Sequence, residues 1–298
     1  LRTDRHKHRS LPQLSDQALA IKALARQHQE AIWALNQTTS RLRSLLLEYF
    51  PQALQAFPNL NHKAALAVLG AVPDPQQAAA LTRRRVVALL HRCGRRNDPP
   101  LVDKILTELK APALRQPPAV EQAMGVAAKT LIDILLQMHA AVAGLNTALE
   151  EAFAKHELAP VLTSVPGLGT VLSARILGEV GDDMARFQTT ANLKSFAGTA
   201  PVTRASGKSS YVKARKVRNK RLGDACHWWA YASLTRSPAA RTYYDQRRSL
   251  GDSHNAALRN LANKLLGRLW WCMQNQQTWD DDAAWSARSQ LEPKATAA

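Results

Sequence analysis

The stretch Pro117-Pro118-Ala119-Val120-Glu121-Gln122-Ala123-Met124-Gly125-Val126-Ala127-Ala128-Lys129-Thr130-Leu131-Ile132-Asp133-Ile134-Leu135-Leu136-Gln137-Met138, running on to His156, sets the fold class. Its apolar residues Val120, Met124, Ala127, Leu131, Ile134, Leu135, Met138, Val142, Leu145 and Leu149 recur at steps of three and four. That spacing lines one face of an α-helix, and the spacing predicts a helix over about 119–156. It suits a coiled coil or helical hairpin; one long helix of a globular bundle fits it equally well. Pro117-Pro118 opens the segment, where a missing N–H costs nothing.

Outward from this helix the same texture continues. Alanine and leucine dominate and only 13 of 298 residues are glycine, so the chain reads as mainly α. Ser15-Asp16 caps a helix over about 17–49, with Ile21, Leu24, Ala25, His28, Ile32, Leu35, Leu42, Leu45 and Leu46 at helical spacing. Pro51 ends it. Further helix is expected over 61–69 and 76–93, divided by the turn Pro73-Asp74-Pro75, with Arg83, Arg84 and Arg85 on a flank. Residues 94–100 read as a loop.

Near Leu158-Ala159-Pro160 the texture changes, and glycines and tryptophans cluster as far as Trp285. The expected organisation is a helical and coiled-coil region over 1–157, a second domain over 158–285, and a flexible tail over 286–298. The second domain opens with Val165-Pro166-Gly167-Leu168-Gly169-Thr170, followed by a helical face of Leu172, Ile176, Leu177 and Val180. Apolar-Pro-Gly-apolar-Gly before a helix has the form of a helix-hairpin-helix. Gly167 and Gly169 permit a tight turn and the next helix offers free N–H groups to a phosphate. Such contact positions a backbone without reading bases. A plain glycine turn between packed helices is the alternative.

Charge narrows the partner. There are 40 Lys+Arg against 23 Asp+Glu, a formal net charge of +17. A surplus of that size implies a polyanion, because neutralised phosphates release counterions. A membrane surface competes, yet the apolar runs look too interrupted by charges to span a bilayer. The charged start Leu1-Arg2-Thr3-Asp4-Arg5-His6-Lys7-His8-Arg9 is no signal peptide. Because Leu1 is not an initiator methionine, the chain is expected to continue a longer protein. Cys93, Cys226 and Cys272 read as thiols in a reducing compartment.

The chemistry concentrates in Gly198-Thr199-Ala200-Pro201-Val202-Thr203-Arg204-Ala205-Ser206-Gly207-Lys208-Ser209-Ser210, followed by Lys213, Arg215, Lys216, Arg218, Asn219, Lys220 and Arg221. A serine on a glycine-flanked loop beside cations is a candidate nucleophile aimed at a phosphodiester. Arg204, Lys208, Lys213 and Arg215 would neutralise charge building on the phosphate. Ser209 and Ser210 are rivals to Ser206. A flexible turn whose lysine merely touches phosphate is the bland alternative.

From Val165 to Leu222 the sequence resembles the C-terminal domain of the insertion-sequence transposases that pair an N-terminal acidic (DEDD) domain with a C-terminal serine. This is the family of bridge-RNA-guided recombination. The matching pieces are Pro166-Gly167-Leu168-Gly169, Phe187, Leu193, Phe196-Ala197-Gly198-Thr199-Ala200-Pro201, Ser206-Gly207 and Asn219-Lys220-Arg221-Leu222. Arg2–Arg9 and Leu46-Leu47-Glu48-Tyr49-Phe50-Pro51 resemble the segments that come after the acidic domain, so the likeness covers nearly the whole chain. The resemblance implies that Ser206 is the nucleophile and that carboxylates binding magnesium lie upstream of Leu1, with no metal site in this chain. It also implies DNA and a structured guide RNA as partners, a homo-oligomer, no membrane, and a bacterial, nucleoid-associated cytoplasmic location. Arg218 stands where the family commonly has glycine, and Gly223 where it has arginine, which puts the backbone path after the serine in question.

Other residues stay secondary. Trp228, Trp229, Tyr231, Trp270 and Trp271 could stack on bases, but at helical spacing with Leu222, Leu234, Leu265, Leu266 and Leu269 they read mainly as core. Tyr243 or Tyr244 as nucleophile lacks a spaced Arg-His-Arg set, and His254 reads as a cap or surface residue. His6 and His8 suggest a nucleic-acid contact. Asp4, Asp16, Asp182 and Asp183 read as caps or surface, and Asp280-Asp281-Asp282 as a solvated end. The expected function is DNA transposition or recombination through Ser206. A non-catalytic nucleic-acid scaffold is the runner-up, and a membrane-surface or structural coiled coil a third class.

Overall fold

Short polar side chains write most helix starts in this protein. A computed structural model describes residues 13–95, 98–207 and 209–286. The order is α1 (Asp16–Tyr49), α2 (Gln52–Ala56), α3 (Lys63–Ala71), α4 (Pro75–Ala79), α5 (Arg83–Arg92), α6 (Pro99–Leu109), α7 (Pro118–Ala154), α8 (Ala159–Thr163) and α9 (Thr170–Val180). A 3₁₀ turn (Met184–Arg186) precedes α10 (Thr190–Ala197), β1 (Val202–Ser206), β2 (Ser209–Lys213), α11 (Lys220–Ser233), α12 (Pro238–Ser249), α13 (His254–Asn275) and α14 (Asp281–Ser286). The fold is mainly α, as expected. Asp74, Thr82, Asp98, Thr189, Asn219, Ser237 and Ser253 each accept a backbone N–H of the helix they precede.

Two expectations fail on capping grounds. The helix expected over 76–93 is interrupted, because Thr82 turns extended and accepts the Arg85 N–H at 3.3 Å, starting α5 afresh. The expected loop over 94–100 ends in a helix: Asp98 accepts the Leu101 N–H at 3.1 Å and Pro99 fills the first turn of α6.

The chain divides into two compact units, one of His28–Leu145 and one of the described residues up to Gln27 with those from Asn146 onward. In the first unit Leu35, Leu42, Leu46, Tyr49, Phe50, Leu66, Val86, Ile105, Ile132 and Leu135 share one core. Tyr49 donates to the Pro73 carbonyl inside it, and burial beside Asp74 and Glu121 pushes the phenol well above its usual range. Arg115 donates to both Glu121 carboxylate oxygens through Nε and Nη2 and holds that carboxyl below the ordinary range.

In the second unit Ile21, Phe153, Leu162, Leu177, Leu193, Trp229, Leu258 and Leu265 form the core. Buried His156 accepts the Leu158 N–H on Nδ1, so its proton sits on Nε2, which faces Asp182 at 3.4 Å. Asp182 and Asp183 accept backbone N–H groups of Ser15 and Gln13, roles that match their reading as structural acids. The three cysteines are free thiols, and burial pushes Cys226 up to about 12.

Two further readings are corrected. Asp281 is not a solvated end: it accepts from Ser237 Oγ and from the indole N–H groups of Trp279 and Trp285. And α7, with a window of mean hydropathy 1.4, is long and apolar enough by length and composition to cross a membrane, contrary to the expectation that charges interrupt every apolar run. Residues 2–9 with His6 and His8, Lys208, and 287–298 of the expected tail lie outside the described residues.

Candidate nucleic-acid interface

The glycine turn before α9 is built by packing. Gly167 adopts φ +82°, and a Cβ there would stand 2.6 Å from Ser233 N and 2.9 Å from Ser233 Cα, so the turn lies flat on the end of α11. Buried Trp229 donates its indole N–H to the Pro166 carbonyl at 3.0 Å and fixes the turn from the same side. Gly169 differs: it is exposed, precedes α9 without a side-chain cap, and a Cβ there would meet nothing within 4 Å. Of the two glycines expected to contact phosphate, Gly167 packs against the end of α11 and Gly169 is the more exposed.

One buried carboxylate ties α9 to α1 and to the start of α11. Glu179, on α9, accepts from Arg26 Nε at 2.7 Å and Nη2 at 2.9 Å, and from Asn219 Nδ2 at 2.7 Å. Burial alone would raise its pKa, but the Arg26 and Asn219 hydrogen bonds hold it below the ordinary carboxylate range. Asn219 also caps α11 through Leu222 N at 2.9 Å and donates its own N–H to Phe196 O at 2.8 Å. Arg186 donates to the carbonyls at the end of α9 and lies over Phe187 and Phe196, about 5 Å from each ring. Asn219, expected from the sequence to contact DNA, uses its side chain to set where α11 begins.

Between these anchors the chain leaves as a hairpin. Gly198, left-handed at φ +74°, ends α10. β1 and β2 pair antiparallel from Val202–Lys213 to Ser206–Ser209, and Gly207 follows β1 at φ +56°. Four residue steps separate Ser206 from Val202, which puts the serine about 13 Å along the arm. Both strands are exposed almost throughout.

Pleating sorts the side chains. Val202, Arg204 and Ser206 share a face with their partners Lys213, Tyr211 and Ser209, while Thr203, Ala205, Ser210 and Val212 take the other. Ser206 and Ser209 therefore share the face of Arg204 and Lys213, and Ser210 does not. The Lys213 ammonium sits 4.7 Å from the Tyr211 ring centroid. At the arm's base Val202, Arg204, Lys213, Ala214, Arg215, Lys216 and Val217 line a cleft of about 300 Å³.

The same cations continue into Lys220 and Arg221 at the start of α11, where the helix dipole disfavours positive charge and favours an anion. Arg218 fills space that two glycines leave open: a Cβ on Gly198 would stand 2.1 Å from its Cδ, and one on Gly223 3.3 Å from its Nε. The two departures noted in the sequence are thus neighbours, glycine at 223 leaving room for arginine at 218. Among the described residues no three His, Cys, Asp or Glu side chains gather as metal ligands.

Fold and hairpin define a helical protein shaped to meet a polyanion. Residues 159–245 match the family described as "Transposase IS116/IS110/IS902 family". The chain is 43% identical over 294 residues to the "Mini-circle putative transposase for IS117" of Streptomyces coelicolor, covering 96% of this chain and 70% of that protein. It is 32% identical to the "Insertion element IS110 uncharacterized 43.6 kDa protein" of the same organism, over 90% of this chain and 66% of that one. To the "Insertion element IS900 uncharacterized 42 kDa protein" of Mycobacterium paratuberculosis it is 31% identical, over 72% and 54%. The chain belongs to this family of insertion-sequence transposases. It spans roughly half to 70% of the length of these relatives.

Proposed function

We propose that this chain is the DNA-binding and nucleophile-bearing part of an insertion-sequence transposase, with Ser206 attacking a DNA phosphodiester. The observation that carries the reading is the hairpin: a serine at the tip of an exposed arm, on the same face as Arg204 and Lys213. Ser206 Oγ forms a bond to phosphorus as the bond to the leaving strand's oxygen breaks. The serine proton passes to a base, and the departing strand's oxygen takes a proton from an acid and leaves as a hydroxyl. Attack of a second strand's hydroxyl on the phosphoserine then restores the serine and joins the new strand.

Arg204 and Lys213 stabilise the charge that builds on the phosphate oxygens, while the exposed Gly169 and the start of α11 hold flanking phosphates. Magnesium, a DEDD-type acidic domain and the base that takes the serine proton are placed outside this chain. A structured guide RNA and a homo-oligomer belong to the same proposal.

The test is covalent capture on a phosphorothiolate-containing donor DNA, with the chain joined to its acidic domain. A denaturation-resistant adduct mapped to Ser206 by mass spectrometry, and lost in Ser206→Ala with DNA affinity retained, supports the reading. An adduct on Ser209 moves the nucleophile along the same face. No adduct under cleaving conditions leaves a nucleic-acid scaffold.

A further inference from the structure

Helical spacing assigns the tryptophans of α11 to the core, and for one of them the structure disagrees. Trp229 is fully buried, but Trp228 is 51% exposed and Tyr231 52% exposed. They are not scattered. His227, Trp228, Tyr231, His254 and Tyr244 form a continuous ring path, with centroid separations of 5.8, 6.1, 6.5 and 5.8 Å in that order. Each junction is edge-to-face, at 78–89° between planes. Tyr244 Oη lies 2.7 Å from His254 Nδ1 and ties α12 to the start of α13. The path therefore spans three helices and is held in place by them.

We propose that this aromatic path is a stacking platform for unpaired nucleobases of a single strand. Large exposed aromatic area in one patch marks a binding surface. In edge-to-face packing one ring meets its neighbour with its edge, so a ring touched on one face keeps the opposite face open for a planar ligand to stack. Charge selects among ligands. From Arg218 to His254 there are seven Lys and Arg against three Asp and no Glu, and on α12 Arg241, paired with Asp245, and Arg248 stand one turn either side of Tyr244. An aromatic surface rimmed by cations fits a flexible polyanion carrying flat apolar bases. A duplex hides those bases in its own stack and offers only phosphates. The proposal is independent of Ser206 and of any covalent chemistry.

The experiment measures binding of fluorescein-labelled dT12, U12 and a 12-base-pair duplex to the whole chain and to Trp228→Ala, Tyr231→Ala and Trp228→Phe. Stacking on one ring is worth about 5- to 150-fold in affinity. Each alanine variant should lose single-strand affinity in that range and keep duplex affinity within about twofold, and Trp228→Phe should retain most of it. A larger loss on U12 identifies the ligand as RNA, and a larger loss on dT12 as a displaced DNA strand; either supports the platform. Unchanged single-strand binding, or parallel loss on duplex, overturns it. So does a change of oligomeric mass in Trp228→Ala with single-strand affinity intact, which would assign the patch to protein contact. Circular dichroism guards against misfolding, and half-exposure of both rings makes folding of these variants the expected outcome.

Discussion

Gly167→Ala separates a packing glycine from a phosphate-gripping one. The residue sits at φ +82°, where a non-glycine residue costs about 1–2 kcal/mol. Its new methyl would arrive 2.6 Å from Ser233 N, 2.9 Å from Ser233 Cα and 3.0 Å from Ala232 C. These are backbone atoms of α11, which cannot rotate away as a side chain can, so the turn or the helix must shift. Overpacking of this kind costs about 1–3 kcal/mol more. The sum, about 2–5 kcal/mol, also strains the Trp229–Pro166 hydrogen bond beside it. Gly169→Ala supplies the contrast, since its φ is −78° and its methyl meets nothing. Urea denaturation followed by tryptophan fluorescence should show a large fall in midpoint for Gly167→Ala and a change within about 0.5 kcal/mol for Gly169→Ala. Equal, small effects would refute the packing argument and return Gly167 to a purely ligand-facing role.

Glu179→Gln should destabilise by about 1–3 kcal/mol at neutral pH, since it removes the charge that partners Arg26 while an amide can still meet Asn219. Because the folded pKa of Glu179 is depressed, its contribution is present above the unfolded value near 4.3 and is lost as pH falls through the folded value; wild-type stability should drop on acidification more steeply than that of the glutamine variant, and parallel pH profiles would contradict the assignment. Arg204→Ala should weaken binding to unrelated DNA sequences alike and reduce the slope of log affinity against log salt by about 0.9, whereas an unchanged slope would place Arg204 off the phosphate path.

Much of the helical frame was legible because long amphipathic periods resist misreading. The spacing from Val120 to Leu149 and that from Ile21 to Leu46 give α7 and α1 to within a few residues. What stayed hidden was short and polar. Inside a run that looks continuously helical, α4 stops at Ala79 and Thr82 begins another helix, and Asp98-Pro99 reads as a loop until its capping geometry is considered. The hairpin carries no alternation of apolar and polar residues, since neither of its faces is buried; the available signal was Ser-Gly-Lys-Ser as a two-residue turn between β-branched Val202, Thr203 and Val212. Trp228 and Trp229 point about 100° apart around α11, and spacing alone does not say that Trp229 is buried while Trp228 stays half-exposed. Glu179 gave no signal at all: a lone acid in an apolar helix reveals its role only when Arg26 and Asn219, far away in sequence, arrive beside it.

The placement of Ser206 and the placement of Glu179 answer different physical demands. A serine about 13 Å along an exposed two-stranded arm is a weak nucleophile, with water around it and its proton held by no base of known position. Taken as the nucleophile, it is idle until another surface covers the tip, excludes water and supplies the missing base. On that reading the arrangement would guard against stray hydrolysis, because the reactive geometry would form only when DNA and a completing surface are both in place. An arm used in this way must spring from a fixed root, or the positioning gained at docking is lost in the hinge. The root is where the buried polar network lies: Glu179 joins Arg26 to Asn219, Asn219 bonds to Phe196 at the end of α10, and α10 leads through Gly198 into β1. Weakening the network should therefore lower strand transfer more than DNA affinity, whereas removing an arm cation should do the reverse.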